Sequence, residues 1–273
     1  MILPTSRFWG LLVAGVLAVG AARAQAPLAP AAPVPDMPSD EQSYSKEFVF
    51  GVNFNTQGGL LGGASVRSSK VLDDRLLRFW SLEGVMLKNN DKELRRTTSL
   101  GGSYIDRKTN YGFVLRPSIG LQRILFRKAA DAGVQVNGLV SVGPSIGLLM
   151  PYYITYDRTY PKTLTYNLST DDIVDEQYDP TKHINSDAIL DHGPLFSGIG
   201  QTKVVPGIHL RGGLSFEYGR YRDAVTGMEV GFLVEAFTKR MLILSPSVLD
   251  KSDALNRQFF PSVYLTLYFG HRS

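Results

Sequence analysis

The stretch Pro261-Ser-Val-Tyr-Leu-Thr-Leu-Tyr-Phe269 constrains the chain more than any other. It puts Val263, Leu265, Leu267 and Phe269 on one side and Ser262, Tyr264, Thr266 and Tyr268 on the other. A strict period of two is the signature of a β-strand, and the two faces call for two different solvents. No segment beyond the N-terminus approaches the roughly 20 uninterrupted apolar residues of a transmembrane helix. If the chain enters a membrane, it does so with strands.

The N-terminus reads as a targeting signal, expected over residues 1–24. Arg7 is followed by the apolar run Phe8–Ala22, and Ala22-Arg23-Ala24 supplies a small-x-small cleavage site. The next such site, after Ala26, would put Pro27 just past the scissile bond. Residues 25–45 are Pro/Ala-rich without hydrophobic periodicity and are expected to form an extended tail. Loss of Arg7 and Arg23 reduces Lys+Arg from 29 to 27 against 25 Asp+Glu. A net charge near +2 gives no electrostatic footprint for nucleic acid. The chain has no cysteine, so neither a disulfide nor a Cys-linked lipid anchor is available, and stability has to come from the fold.

Period-two segments recur along residues 46–273. Phe48, Phe50, Val52 and Phe54 alternate across Glu47–Asn55, and Ser65, Arg67 and Ser69 share one face of Leu60–Ser69. Trp80, Leu82 and Met86 oppose Ser81 and Glu83 in Phe79–Lys88. Tyr111–Phe126, Val134–Leu149, Lys203–Tyr218 and Thr226–Lys239 follow the same rule, which makes about eight strands, with ten possible. Short turns near Asp73, Ala130 and Asp223 alternate with long connections at 89–110, 150–202 and 240–256. A hairpin extension is expected around Ser99–Ile105, and no strand register is evident between Met150 and Thr202. The recurrent Arg116-Pro-Ser-Ile-Gly, Gly143-Pro-Ser-Ile-Gly, Val205-Pro-Gly-Ile-His and Phe260-Pro-Ser-Val-Tyr each put a proline in a strand, where a bulge or strand end is expected.

The leader, the aromatic-rich alternating strands and the terminal aromatic strand together resemble small bacterial outer-membrane β-barrels of the OmpX and OmpA transmembrane type. Asn53-Phe-Asn-Thr-Gln-Gly-Gly with Leu61-Gly-Gly is similar to uncharacterised barrels of the Bacteroidota. The chain departs from the pattern in continuing as Gly270-His-Arg-Ser beyond the last aromatic. The resemblance implies an all-β, antiparallel up-and-down transmembrane barrel in the outer membrane of a Gram-negative cell, both termini periplasmic and the long loops extracellular. It further implies a monomer that meets outer-membrane lipid and the barrel-assembly machinery, with no cofactor.

In an eight-stranded barrel the inward side chains fill the interior. The inward set here contains Arg67, Glu83, Arg116, His209, Arg211, Glu217, Glu229 and Glu235. Opposite charges in that space are expected to pair, because an unpaired buried charge costs several kcal/mol. Three functions stay open at this point: a non-enzymatic structural or surface-interaction protein with a plugged lumen, a small porin-like channel, and a lipid-modifying enzyme. For the last, His209, Ser215 and Glu217 are the right residue types on one strand face. His209 and Ser215 lie about 20 Å apart at strand rise, too far for a triad. Asp171, Asp172, Asp175, Glu176 and Asp179 form an acidic group that would suit Ca²⁺ by charge, but they lack the spacing of an EF-hand loop. The tyrosines around them, Tyr152, Tyr153 and Tyr156 among them, are expected at a membrane interface or a recognition surface.

Overall fold

A computed structural model of the chain describes residues 44–88, 93–98, 100–127, 133–159, 172–218, 224–245 and 256–273, without the side chains of 59–61. The expected leader, most of the tail and the short turns at 128–132 and 219–223 lie outside these residues.

Eight strands alternate inward and outward side chains along their length and close on themselves. They are β1 (Lys46–Asn55), β2 (Gly59–Asp73), β3 (Leu76–Leu87), β6 (Asn110–Phe126), β7 (Val134–Pro151), β11 (Lys203–Tyr218), β12 (Ala224–Phe237) and β13 (Phe259–Arg272). Each pairs antiparallel with the next in the chain, and β1 pairs with β13 to close the ring. The result is the expected up-and-down barrel, in which no sheet edge is left open. In β13 the alternation holds throughout: Val263, Leu265, Leu267 and Phe269 are outside, and Ser262, Tyr264, Thr266 and Tyr268 are buried.

The strand does not stop at its last aromatic. It continues to Arg272, which lies opposite Glu47 in β1. β2 likewise extends past Ser69 to Asp73, so that only Asp74 and Arg75 turn the chain into β3.

Between the barrel strands lie two smaller sheets. One is the hairpin of β4 (Leu94–Thr97) and β5 (Ser103–Asp106), whose turn uses Gly101 at φ 84°. That φ lies in the left-handed region open to glycine at no steric cost. The other is three-stranded, ordered β10 (Ile189–His192), β8 (Tyr153–Asp157), β9 (Ile173–Gln177). The segment 150–202, which shows no strand register in the sequence, therefore carries three short strands and corrects that reading. They escape notice because each is only four or five residues long. Their order comes from a distant apolar cluster of Tyr104, Tyr152, Ile154, Tyr178 and Ile189 rather than from local periodicity.

The prolines also depart from expectation. Pro206 and Pro261 fall near strand starts, but Pro117 and Pro144 lie mid-strand and the register runs through them without a bulge.

Candidate functional site

The lumen is occupied in three layers. At the end that receives the long connections, Met241, Ile243 and Leu244 fold inward against Val85, Leu87, Val114, Leu149, Val205, Phe237 and Phe260. Asn256 holds them there: its Oδ1 accepts from the backbone N–H groups of Ile243 (2.9 Å) and Leu244 (3.1 Å), and its Nδ2 donates to Leu244 O (2.7 Å). The backbone N–H groups of Thr109 and Asn110 in turn donate to Ile243 O. Of the stretch 240–256, expected as an outer loop, Met241, Ile243 and Leu244 pack inward at the barrel end, and the apolar Met-Leu-Ile-Leu run was the available signal.

The middle layer is charged. Arg116 donates from Nε and Nη2 to Glu235 Oε1 and Oε2, both at 2.8 Å, and lies 3.7 Å from Glu83. Arg211 donates to Glu83 (3.2 Å) and Glu229 (2.8 Å) and lies over the Tyr264 ring at 3.9 Å. Arg67 donates to the other Glu229 oxygen at 2.7 Å and sits over the rings of Phe79 and Tyr268. Three guanidiniums thus meet three carboxylates contributed by β2, β3, β6, β11 and β12. Planar guanidiniums bind carboxylates through parallel N–H groups, a geometry an ammonium cannot reproduce.

At the end bearing the termini, Arg272 joins Glu217 (2.9 Å) to Glu47 (2.9 Å) and packs on Tyr44 at 4.3 Å. Arg272 is missing from the inward set read from the sequence because the last strand is read there as ending at Phe269; Glu47, at the edge of the first strand, is missing too, since its partner Arg272 lies beyond that end. Between the second and third layers, a cavity of about 20 Å³ is bounded by Arg67, Phe79, Arg211, Glu229 and Tyr268. It is no larger than a water site requires.

His209 belongs to the middle layer. Its Nε2 lies 2.8 Å from Ser118 Oγ, its Nδ1 lies 3.1 Å from Ser145 Oγ, and Ser145 donates to Glu235 at 2.5 Å. Ser215 instead pairs with the Tyr268 hydroxyl (2.7 Å) and Glu217 with Arg272, so His209, Ser215 and Glu217 form no common site. The Ser118–His209 pair has residue types used in acyl transfer. However, the ring is 2% exposed and its other nitrogen faces a hydroxyl rather than a carboxylate.

Beyond the barrel the two small sheets are tied together. Asp191 accepts from the Ser103 N–H (3.0 Å), Thr98 donates to Leu190 O (2.8 Å), and the Tyr152 hydroxyl accepts from the Ile105 N–H (3.1 Å). Burial pushes the Tyr178 phenol up to about 12. Lys108, almost wholly buried beside Glu93 (3.0 Å) and the Tyr111 ring, is lowered by that burial. Of the acidic group, Asp175 accepts from Thr155 (2.6 Å). Glu176 accepts from Arg158 and lies 3.0 Å from His183, and hydrogen bonding to Arg158 lowers its pKa. Asp179 accepts from Thr181 and is lowered by that bond. Asp171 lies outside the described residues. Among the described residues no three His, Asp or Glu side chains are grouped to hold a metal ion.

A closed eight-stranded barrel with an apolar exterior and a polar, hydrogen-bonded interior defines a class, the small transmembrane β-barrel. No family model matches the sequence, and no curated protein matches it. Among solved structures the chain is similar to Ail, the attachment invasion locus protein of Yersinia pestis. A structure of Ail in complex with the heparin analogue sucrose octasulfate aligns at 9% identity and TM-score 0.33, covering 84% of this chain and 97% of that one. A second Ail structure and that of Neisserial surface protein A (NspA) each align at 8% identity and TM-score 0.35 over the same shares.

Proposed function

We propose that this protein is a non-enzymatic outer-membrane barrel whose lumen is closed and whose role is carried by the sheets beyond it, as a surface-interaction protein. The observation that carries the reading is the three layers of inward side chains packed against one another among the described residues. The apolar cluster around Met241 and Ile243, the charge-paired middle and the second ion-paired layer, among the described residues, support a closed lumen. The lipid-facing belt supports membrane placement: Trp80, Ile119, Ile208 and Phe232 are each more than half exposed, an arrangement that is costly in water and natural in hydrocarbon. The long-connection end faces outward in this reading, with the termini periplasmic.

The absence of cysteine makes any introduced one a unique label. Ile184→Cys, at a residue 83% exposed beside the three-stranded sheet, is expected to react with a membrane-impermeant maleimide on intact cells. Asp74→Cys, in the turn at the opposite end, is expected to react only after lysis. The reverse pattern would refute the outward display of the sheets.

A further inference from the structure

One ladder of the barrel wall is interrupted. In the β6–β7 ladder the pairing runs to Leu115↔Ile146 and resumes at Ile119↔Val142 in the same register. That register puts Pro117 opposite Pro144. Neither has an N–H, so the hydrogen bonds that these two residues would exchange cannot form. The inward positions around the gap mix small and large residues: Ser81 lies opposite Ser118, Gly143 opposite His209 and Gly207 opposite Ser145, while Arg116, next to Pro117, lies opposite Glu83. His209 and Arg116 are buried behind the prolines, so the lumen side is filled and the free space lies on the outer face.

On the outer face the gap is the floor of a groove of about 610 Å³ walled by Trp80, Pro117, Ile119, Val142, Pro144 and Ile208. These walls are continuous with the apolar belt of Leu82, Leu115, Ile146 and Leu210. From the floor no proline N–H is offered, so a polar headgroup finds no backbone donor there, whereas a hydrocarbon chain loses nothing.

We propose that this groove is a binding site for one acyl chain of a membrane lipid, held more tightly than the lipids along the rest of the wall. The proposal rests on the transmembrane reading above. Trp80 is a built-in reporter, because the chain's two tryptophans are Trp9 and Trp80 and W9F leaves Trp80 alone. The full chain carrying W9F is folded in nonionic detergent micelles and titrated with phosphatidylcholine brominated in mid-chain. Saturable quenching of Trp80 is expected, with a stoichiometric plateau.

Filling the groove from outside with Val142→Phe and Ile208→Phe is expected to raise the half-point about tenfold. Restoring the donors with Pro117→Val and Pro144→Val should have the same effect by closing the ladder. Folding is checked by heat-modifiable migration, and either pair of substitutions suffices if the other misfolds. Quenching that rises linearly with bromolipid, or that both filled and repaired walls leave unchanged, overturns the site. Trp80 that stays unquenched even in vesicles made wholly of the brominated lipid overturns the transmembrane reading itself.

Discussion

Arg116 is the side chain on which the middle of the lumen depends. It makes the bidentate contact with Glu235 and stands beside Glu83, and the carboxylates and guanidinium are all buried. Arg116→Met leaves Glu235 uncompensated and is expected to cost about 3–5 kcal/mol in reversible urea unfolding from lipid vesicles. Adding Glu235→Leu should recover much of that loss, because the pair is expensive to break and much less so to replace whole. At the outer sheets, Tyr152→Phe removes the acceptor of the Ile105 N–H. It should lower protection of that amide in hydrogen exchange by about 1–3 kcal/mol.

Which side chains turn inward was legible from a period of two, since Arg67, Glu83, Arg116, His209, Arg211, Glu217, Glu229 and Glu235 all alternate with outward apolar neighbours. Which carboxylate meets which guanidinium was not. Arg116 and Glu235 are 119 residues apart, and only the register among the strands brings them together. The link from Ser118 through His209 to Ser145 was hidden for the same reason, as it spans three strands.

At the scale of the element, the barrel strands were legible because each is long enough for alternation to repeat several times. The three strands within 150–202 are too short for that, and their stability comes from the tyrosine cluster and a few charged bonds. Those bonds give the sheets a pH dependence. Glu176 and Asp179 are held below their ordinary carboxylate values, and Asp191 is held low chiefly by its bond from the Ser103 N–H. A depressed folded value contributes stability that is present above the unfolded pKa of about 4 and lost as pH falls through the folded value. Amide protection, corrected for the intrinsic exchange rate, should therefore fall at Ser103 and in β9 as the pH drops below about 4, before it falls in the barrel strands.

The segment Met241–Leu244 is an element of another kind, without a regular strand or helix and kept in place by Asn256 and apolar contact. Ile243→Asp puts an unpaired carboxylate among Leu87, Val114 and Phe260, where burial of the charge is disfavoured. It is expected to expel residues 241–245 and speed tryptic cleavage at Arg240, while heat-modifiable migration is retained.

For the molecule as a whole, closure of the sheet and the proposed closure of its lumen rest on different residues. The hydrogen-bonded ring needs only eight complementary strands, and the sequence displays them. The proposed seal draws on residues at the margins of that pattern: Met241–Leu244 in a connection, Asn256 at its far side, and Arg272 past the terminal aromatic. Single-channel recording in a planar bilayer tests the proposed seal. With folding confirmed by heat-modifiable migration, a silent bilayer is expected at both low and high salt, with stepwise openings on introducing Ile243→Asp together with Arg116→Met. Stable, reproducible openings from the unaltered chain would contradict it and make the protein a channel.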